Sequence, residues 1–178
     1  MRLNKIFIFF FLIYYSCETN KARYPINYKM INESESKNFK QNILFQNNLV
    51  DSYIENNPTY EYLNSKTGFY YYYLFKSNNK NINPTIGDKI TFNYSVKDLN
   101  NNIIYSKEDI GEQNYIMDKQ ELLTGIREAL KILKQGDIAV FIFPSYKAYG
   151  MYGDYNKIPP NTPIICSIEV KSIISHNK

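Results

Sequence analysis

One histidine, two cysteines and no tryptophan occur among the 178 residues, and each shortage removes a class of chemistry. His176 stands near the C-terminus, while Cys17 and Cys166 lie far apart in the chain. A Cys/His zinc site, a disulfide framework and a Ser-His-Asp or Cys-His hydrolase are therefore excluded, and neither metal nor cofactor is expected. Net charge is small as well: 21 basic against 17 acidic residues give +4, and Arg2 and Lys5 of the leader account for two of the cations. That surplus is too weak for a nucleic-acid partner, and Arg2, Arg23 and Arg127 form no stripe. With only 7 glycines there is no Gly-rich phosphate loop, and no internal repeat is found. Whatever reaction this chain performs needs no strong acid, base or metal.

What is present is an apolar chain with a leader. Hydrophobic residues make up 44% and charged residues 21%, a balance that fits a globular core. Residues 1–16 read as a signal peptide: Arg2 and Lys5, then an apolar run from Ile6 to Ile13, then a small residue, Ser16. The run is far short of the ~20 residues a spanning helix needs. Cys17 directly after Ser16 resembles the lipidated cysteine of bacterial lipoproteins, with Tyr14 where leucine is usual. The resemblance implies acylation of Cys17 and attachment to a membrane facing the periplasm. Cys166, with no partner, reads as a small core residue.

Residues 17–34 are polar and irregular and read as a tether. The region 35–80 comes next, as a helix and an aromatic strand. Phe39, Ile43, Val50 and Ile54 recur at helical spacing up to Asn56-Asn57-Pro58, predicting a helix over 35–56. Its apolar stripe needs a cover: the following domain, a second copy of the chain or an envelope partner. Gly68 to Phe75, with four consecutive tyrosines, suits a strand with one face in the core.

Within 81–178 the pattern predicts strands at 89–96, 103–105, 114–117, 138–143 and 164–173. Asn100-Asn101-Asn102 makes the first two a hairpin. Leu122, Leu123, Ile126, Leu130 and Leu133 give one helix face, closed by Gln135-Gly136. A long loop spans 144–163. Antiparallel strands with one late helix make an α+β domain, the helix packed on one face of the sheet.

Specific motifs lie in this second region. They run Gly87-Asp88-Lys89-Ile90-Thr91-Phe92-Asn93-Tyr94, then Gln120 to Leu130 with Gly125, then Lys134-Gln135-Gly136-Asp137. Ala148-Tyr149-Gly150, Ile158-Pro159-Pro160-Asn161-Thr162-Pro163 and Ile168-Glu169-Val170 come after them. In this order and spacing, over about half the chain, they resemble the FKBP-type peptidyl-prolyl cis-trans isomerases. With the leader and the preceding helix, the whole is similar to the gliding-motility-associated FKBP-type lipoproteins of Bacteroidetes.

The resemblance implies a twisted antiparallel half-barrel around one short helix, with an apolar pocket between helix and sheet. It also implies clients that are proline-containing polypeptides. The matching wall positions are Tyr94, Leu122, Leu123, Tyr149 and Ile158, with Tyr149 as the hydroxyl that donates to the substrate carbonyl. Ile126 stands where the family usually has a tryptophan floor. Ile104-Tyr105 replaces a Phe-Asp pair, so the family's buried carboxylate is missing at that position. On the last strand Cys166 takes the place of an aromatic, and Gln113 does so on the edge strand, with Tyr115 two places on.

Overall fold

The computed structural model describes residues 33–78 and 83–176; the signal segment, Cys17 and most of the tether lie outside the described residues. Helix α1 (Glu33–Asn56) opens the described chain, two residues into the span read as tether. Short β1 (Leu63–Asn64) and β2 (Tyr70–Phe75) come next, then β3 (Lys89–Lys97), β4 (Ile103–Tyr105), α2 (Lys107–Ile110) and β5 (Gln113–Ile116). Helix α3 (Thr124–Leu130), β6 (Ile138–Phe143), a 3-10 turn (Ser145–Lys147) and β7 (Ile164–Ile174) complete the order.

The strands form one open antiparallel sheet, ordered β1-β2-β6-β7-β3-β4, with β5 on β3. Region 35–80 is thus joined to the region 81–178, because β2 pairs along β6 from Tyr70↔Ile142 onward. Pleating sends successive tyrosines of β2 to opposite faces. Tyr71 and Tyr73 join the inner core with Phe69, Phe141 and Ile126 of α3. Tyr72 is buried in a second, outer cluster with Val50 and Tyr53 of α1, Val140, Ile142 and Ile165, and Tyr70 packs against it. The tyrosine run is covered on both sides, so the expectation of one core face was half the answer.

Two elements depart from the sequence reading. On α1 the buried face is Gln46, Val50 and Tyr53, while Phe39, expected on the stripe, is half exposed. Phe39 borders a cleft with Tyr146 and Met151 instead of entering the core. Helix α3 is only seven residues long, so Leu122 and Leu123 precede it rather than lying on its face. The cause is local: Leu123 is the N-cap and offers no side-chain acceptor for the free amides of the first turn. Helix α2, by contrast, carries a complete capping box, Ser106 with Asp109, an S-x-x-D signal the strand reading passed over. No helix among the described residues is long and apolar enough to cross a membrane.

Candidate functional site

Tyr149 is placed by the loop leaving β6. Pro144 is extended (φ −63°, ψ 157°) and starts the 3-10 turn. The Ser145 carbonyl then accepts from both Ala148 N and Gly150 N, at 2.8 Å each, so the two residues flanking Tyr149 hang from one oxygen. Gly150 takes φ +64°, a left-handed conformation that glycine adopts without steric cost, and its carbonyl accepts from Asn161 N at 2.9 Å. Lys147 Nζ grips both carboxylate oxygens of Glu128 at 2.8 and 2.9 Å, tying the turn to α3. Gly125 permits that approach, since a Cβ there would sit 2.8 Å from the Lys147 carbonyl and from the Phe143 ring.

All nine residues singled out from the sequence fall in one hydrophobic cluster. Ile126, Ile158 and Cys166 are buried in it, and Tyr94, Ile104, Tyr105, Leu122, Leu123 and Tyr149 pack partly buried against it. Tyr94 stacks on Phe92, ring centres 5.9 Å apart. The Tyr149 ring is half-buried, and its hydroxyl has no hydrogen-bond partner among the described residues. Burial pushes the Tyr149 pKa well above the usual phenol value, with Tyr94, Cys166, Asp154 and Tyr105 adding to the rise. That hydroxyl therefore keeps its proton and remains a donor at any physiological pH. Burial also pushes up Tyr94 and the Cys166 thiol, which rules the latter out as a nucleophile.

The carboxylate missing at position 105 re-enters from another element, and sequence reasoning did not find it. Tyr105 donates its hydroxyl to Asp154 Oδ2 in the long loop, and Asn156 Nδ2 donates to the same phenol oxygen at 3.2 Å. Asp154 Oδ1 accepts from Ile158 N at 2.8 Å and Asn156 N at 2.9 Å, so one side chain folds the loop over 154–158. Burial raises the Asp154 pKa, but the bonds from Tyr105 and from Ile158 and Asn156 outweigh it and hold the carboxyl below its ordinary range. The hydrogen bond to that anion raises Tyr105 in turn. Lys157 Nζ lies 4.8 Å above the Tyr105 ring centre and donates to Ile104 O at 3.2 Å, closing the clasp between loop and β4. The signal was present as Asp154-Tyr155-Asn156, an aspartate leading into turn residues.

Chemically, the cluster brings together apolar side chains, one neutral hydroxyl donor with its bonding capacity unused, and a carboxylate already engaged by its own loop. The site has no histidine.

A sequence model described as FKBP-type peptidyl-prolyl cis-trans isomerase matches residues 80–171. FK506-binding protein 2A of Rhizopus delemar is 29% identical over 80 residues, covering 40% of this chain and 48% of that protein. The macrophage infectivity potentiator of Trypanosoma cruzi is 29% identical over 90 residues, covering 51% and 45%. The chain thus spans about half the length of these curated relatives. Among solved structures, FkpA from Escherichia coli superposes with a TM-score of 0.61 at 21% identity, covering 80% of this chain and 65% of that one. A peptidyl-prolyl cis-trans isomerase from Pseudomonas syringae pv. tomato gives 0.60 at 17% identity, covering 76% and 96%. Both likenesses establish the fold.

Proposed function

The chain belongs to the FKBP-type peptidyl-prolyl cis-trans isomerase family, and on that premise we propose that it accelerates X-Pro isomerisation in polypeptides, with Tyr149 as the hydroxyl that holds the substrate carbonyl. The observation that carries this reading is the Tyr149 hydroxyl itself, protonated by its environment and unpartnered among the described residues beside an apolar cluster.

Rotation about X-Pro must cross a barrier of ~18–20 kcal/mol set by the double-bond character of the planar amide. No bond is broken, so no nucleophile or proton shuttle is required. The twisted transition state loses resonance and with it charge separation between carbonyl and nitrogen. An apolar pocket therefore favours it over the planar ground state, a differential effect that raises rate rather than mere binding. On this reading the prolyl ring packs against the partly buried Leu122, Leu123 and Tyr94, over Ile126, Ile158 and Cys166 buried beneath them. Ile126 in place of an aromatic floor forfeits roughly 0.5–1.5 kcal/mol of ring packing, which slows such an enzyme a few-fold to about tenfold without abolishing it.

Tyr149→Phe tests the assignment. Proline-limited refolding of an unfolded model protein should be accelerated by the full chain, and the substitution should remove about tenfold of that acceleration, the worth of one hydrogen bond made in the transition state. Equal acceleration by both chains would move the chemistry away from Tyr149.

The leader supports a location at a membrane facing the periplasm, anchored through acylated Cys17, with exported or envelope proteins as clients. The intact mass of membrane-extracted protein should show loss of residues 1–16 and added acyl mass; an unmodified Cys17 would refute the anchor.

A second reading is a non-catalytic binding module of an envelope machine, such as one for gliding motility. It is favoured by Leu44 and Phe45, each 62% exposed on the outward side of α1. A folded chain with no effect on any proline-limited reaction would select this reading over the first.

A further inference from the structure

The geometry points to Gln46 of the N-terminal helix as a positioning residue for Tyr149, an inference that rests on the isomerase reading above. The buried face of α1 is apolar, Val50 and Tyr53, except for Gln46, which is only 2% exposed. A buried amide is costly unless both of its ends are bonded. Here both are: Nε2 donates to Asn42 Oδ1 at 2.7 Å, and Oε1 accepts from Ser145 N at 2.8 Å across 99 residues of sequence.

Ser145 is the residue from which Tyr149 is hung. Its carbonyl accepts from the amides on either side of Tyr149, while its own amide is fixed by Gln46. One residue's backbone thus links α1 on the outer side to the catalytic hydroxyl on the inner side. The opposite flank of the turn is held by Lys147 on Glu128. Tyr94, Ile126 and Cys166 lie on β3, α3 and β7, outside the turn that Gln46 holds, so a change at Gln46 should move the hydroxyl more than these residues. Helix α1, which precedes the region matched by the family, is on this account part of the active-site frame.

Gln46→Leu keeps the apolar volume and removes the acceptor. Because the change acts through the Tyr149 hydroxyl, its effect is bounded by the loss of that hydroxyl, so kcat for a proline-containing peptide should fall about five- to tenfold, with KM within about twofold. Gln46→Glu offers an oxygen to Ser145 N in either protonation state and should restore kcat to within about threefold. Val50→Ala, on the same helix face, should lower the melting temperature and leave kcat intact. Amide exchange at Ser145, Ala148 and Gly150 should quicken in Gln46→Leu alone. If Gln46→Leu does not fold, Gln46→Asn, one methylene short of Ser145, gives the same comparison with a smaller change. Wild-type kcat in Gln46→Leu (or in Gln46→Asn, where that stands in), no rescue by glutamate, or an equal loss in Val50→Ala would each overturn the inference while leaving the isomerase reading standing. An unaltered chain without isomerase activity would remove both.

Discussion

Gly153→Ala is expected to cost about 2–4 kcal/mol of stability in the 150–161 loop and to reduce isomerase activity at least as far as Tyr149→Phe does. The backbone at Gly153 has φ +69°, but that alone is a modest burden, because Tyr155 at +59° and Asn161 at +57° carry side chains in the same loop. Space decides. A Cβ at 153 would lie 2.1 Å from the Ile158 carbonyl oxygen and 2.8 Å from the Pro159 carbonyl carbon, both backbone atoms that cannot rotate away. The Ile158 carbonyl is also the acceptor for Asp154 N, so relieving the clash breaks that bond and releases the carboxylate that Tyr105 holds. Ile158, buried in the same cluster as Ile126 and Cys166, would move with it. Gly150→Ala is the control. Its φ is +64°, yet nothing lies within 4 Å of the added Cβ, so it should cost about 1 kcal/mol and leave most activity. Thermal melts and refolding assays on both variants check the contrast. A Gly153→Ala chain no worse than Gly150→Ala would mean that the loop yields where its geometry says it cannot.

Legibility in the sequence tracks the reach of each interaction. Strands announce themselves through alternation inside one segment, and β3, β6 and β7 fall within a residue or so of their expected bounds. The motif order from Gly87 to Val170 carried the fold and the cluster of site residues because those positions are read by spacing along the chain. Contacts between distant segments were not legible. Asp154 meets Tyr105 across 49 residues and Gln46 meets Ser145 across 99, and although Asp154 leads a local turn signal, nothing near either residue names its distant partner. A glutamine on a helix reads as solvent-facing, and only the turn placed above α1 makes it a buried acceptor. The start of α3 failed for the opposite reason: Leu122 and Leu123 are spaced like a helix face, but the chain lacks the capping side chain that would begin the helix there.

The two-sided use of the sheet explains why a strand of four tyrosines is tolerated. Tyr60 stacks on Tyr72 at 4.1 Å and Tyr62 meets Tyr72 edge-on at 5.2 Å beside α1, while Tyr71 stacks on Phe141 at 5.5 Å on the inner side. Burial pushes the Tyr62 phenol up to about 12, and Tyr53 and Tyr60 add to the rise. The tyrosines are packing material, and α1 covers the outer half of them.

Phe141→Ala should therefore be the most damaging change to stability that leaves the loop alone. Phe141 is fully buried in β6, parallel to Tyr71 and to Phe143 at 5.7 Å, and edge-on to Phe69 at 5.9 Å. Removing the ring loses its transfer free energy and opens a cavity that its rigid aromatic neighbours cannot collapse into, a loss of about 3–5 kcal/mol. Domains of this size hold ~5–15 kcal/mol in total, so the midpoint of thermal unfolding should drop by roughly 10 °C. The register places Cys166 of β7 opposite Phe141, and so small a side chain cannot fill the gap. Yet Phe141 stands inside β6, two residues before the strand ends at Phe143, and belongs to neither the 3-10 turn nor the 150–158 loop. Measured well below the lowered midpoint, kcat/KM per folded molecule should stay within about threefold of wild type, since the hydroxyl keeps its place. Gly153→Ala should show the reverse balance, with activity lost at temperatures where the fold persists. Stability and activity falling together in both variants would mean that sheet and loop act as one cooperative unit, and that the pocket has no frame of its own.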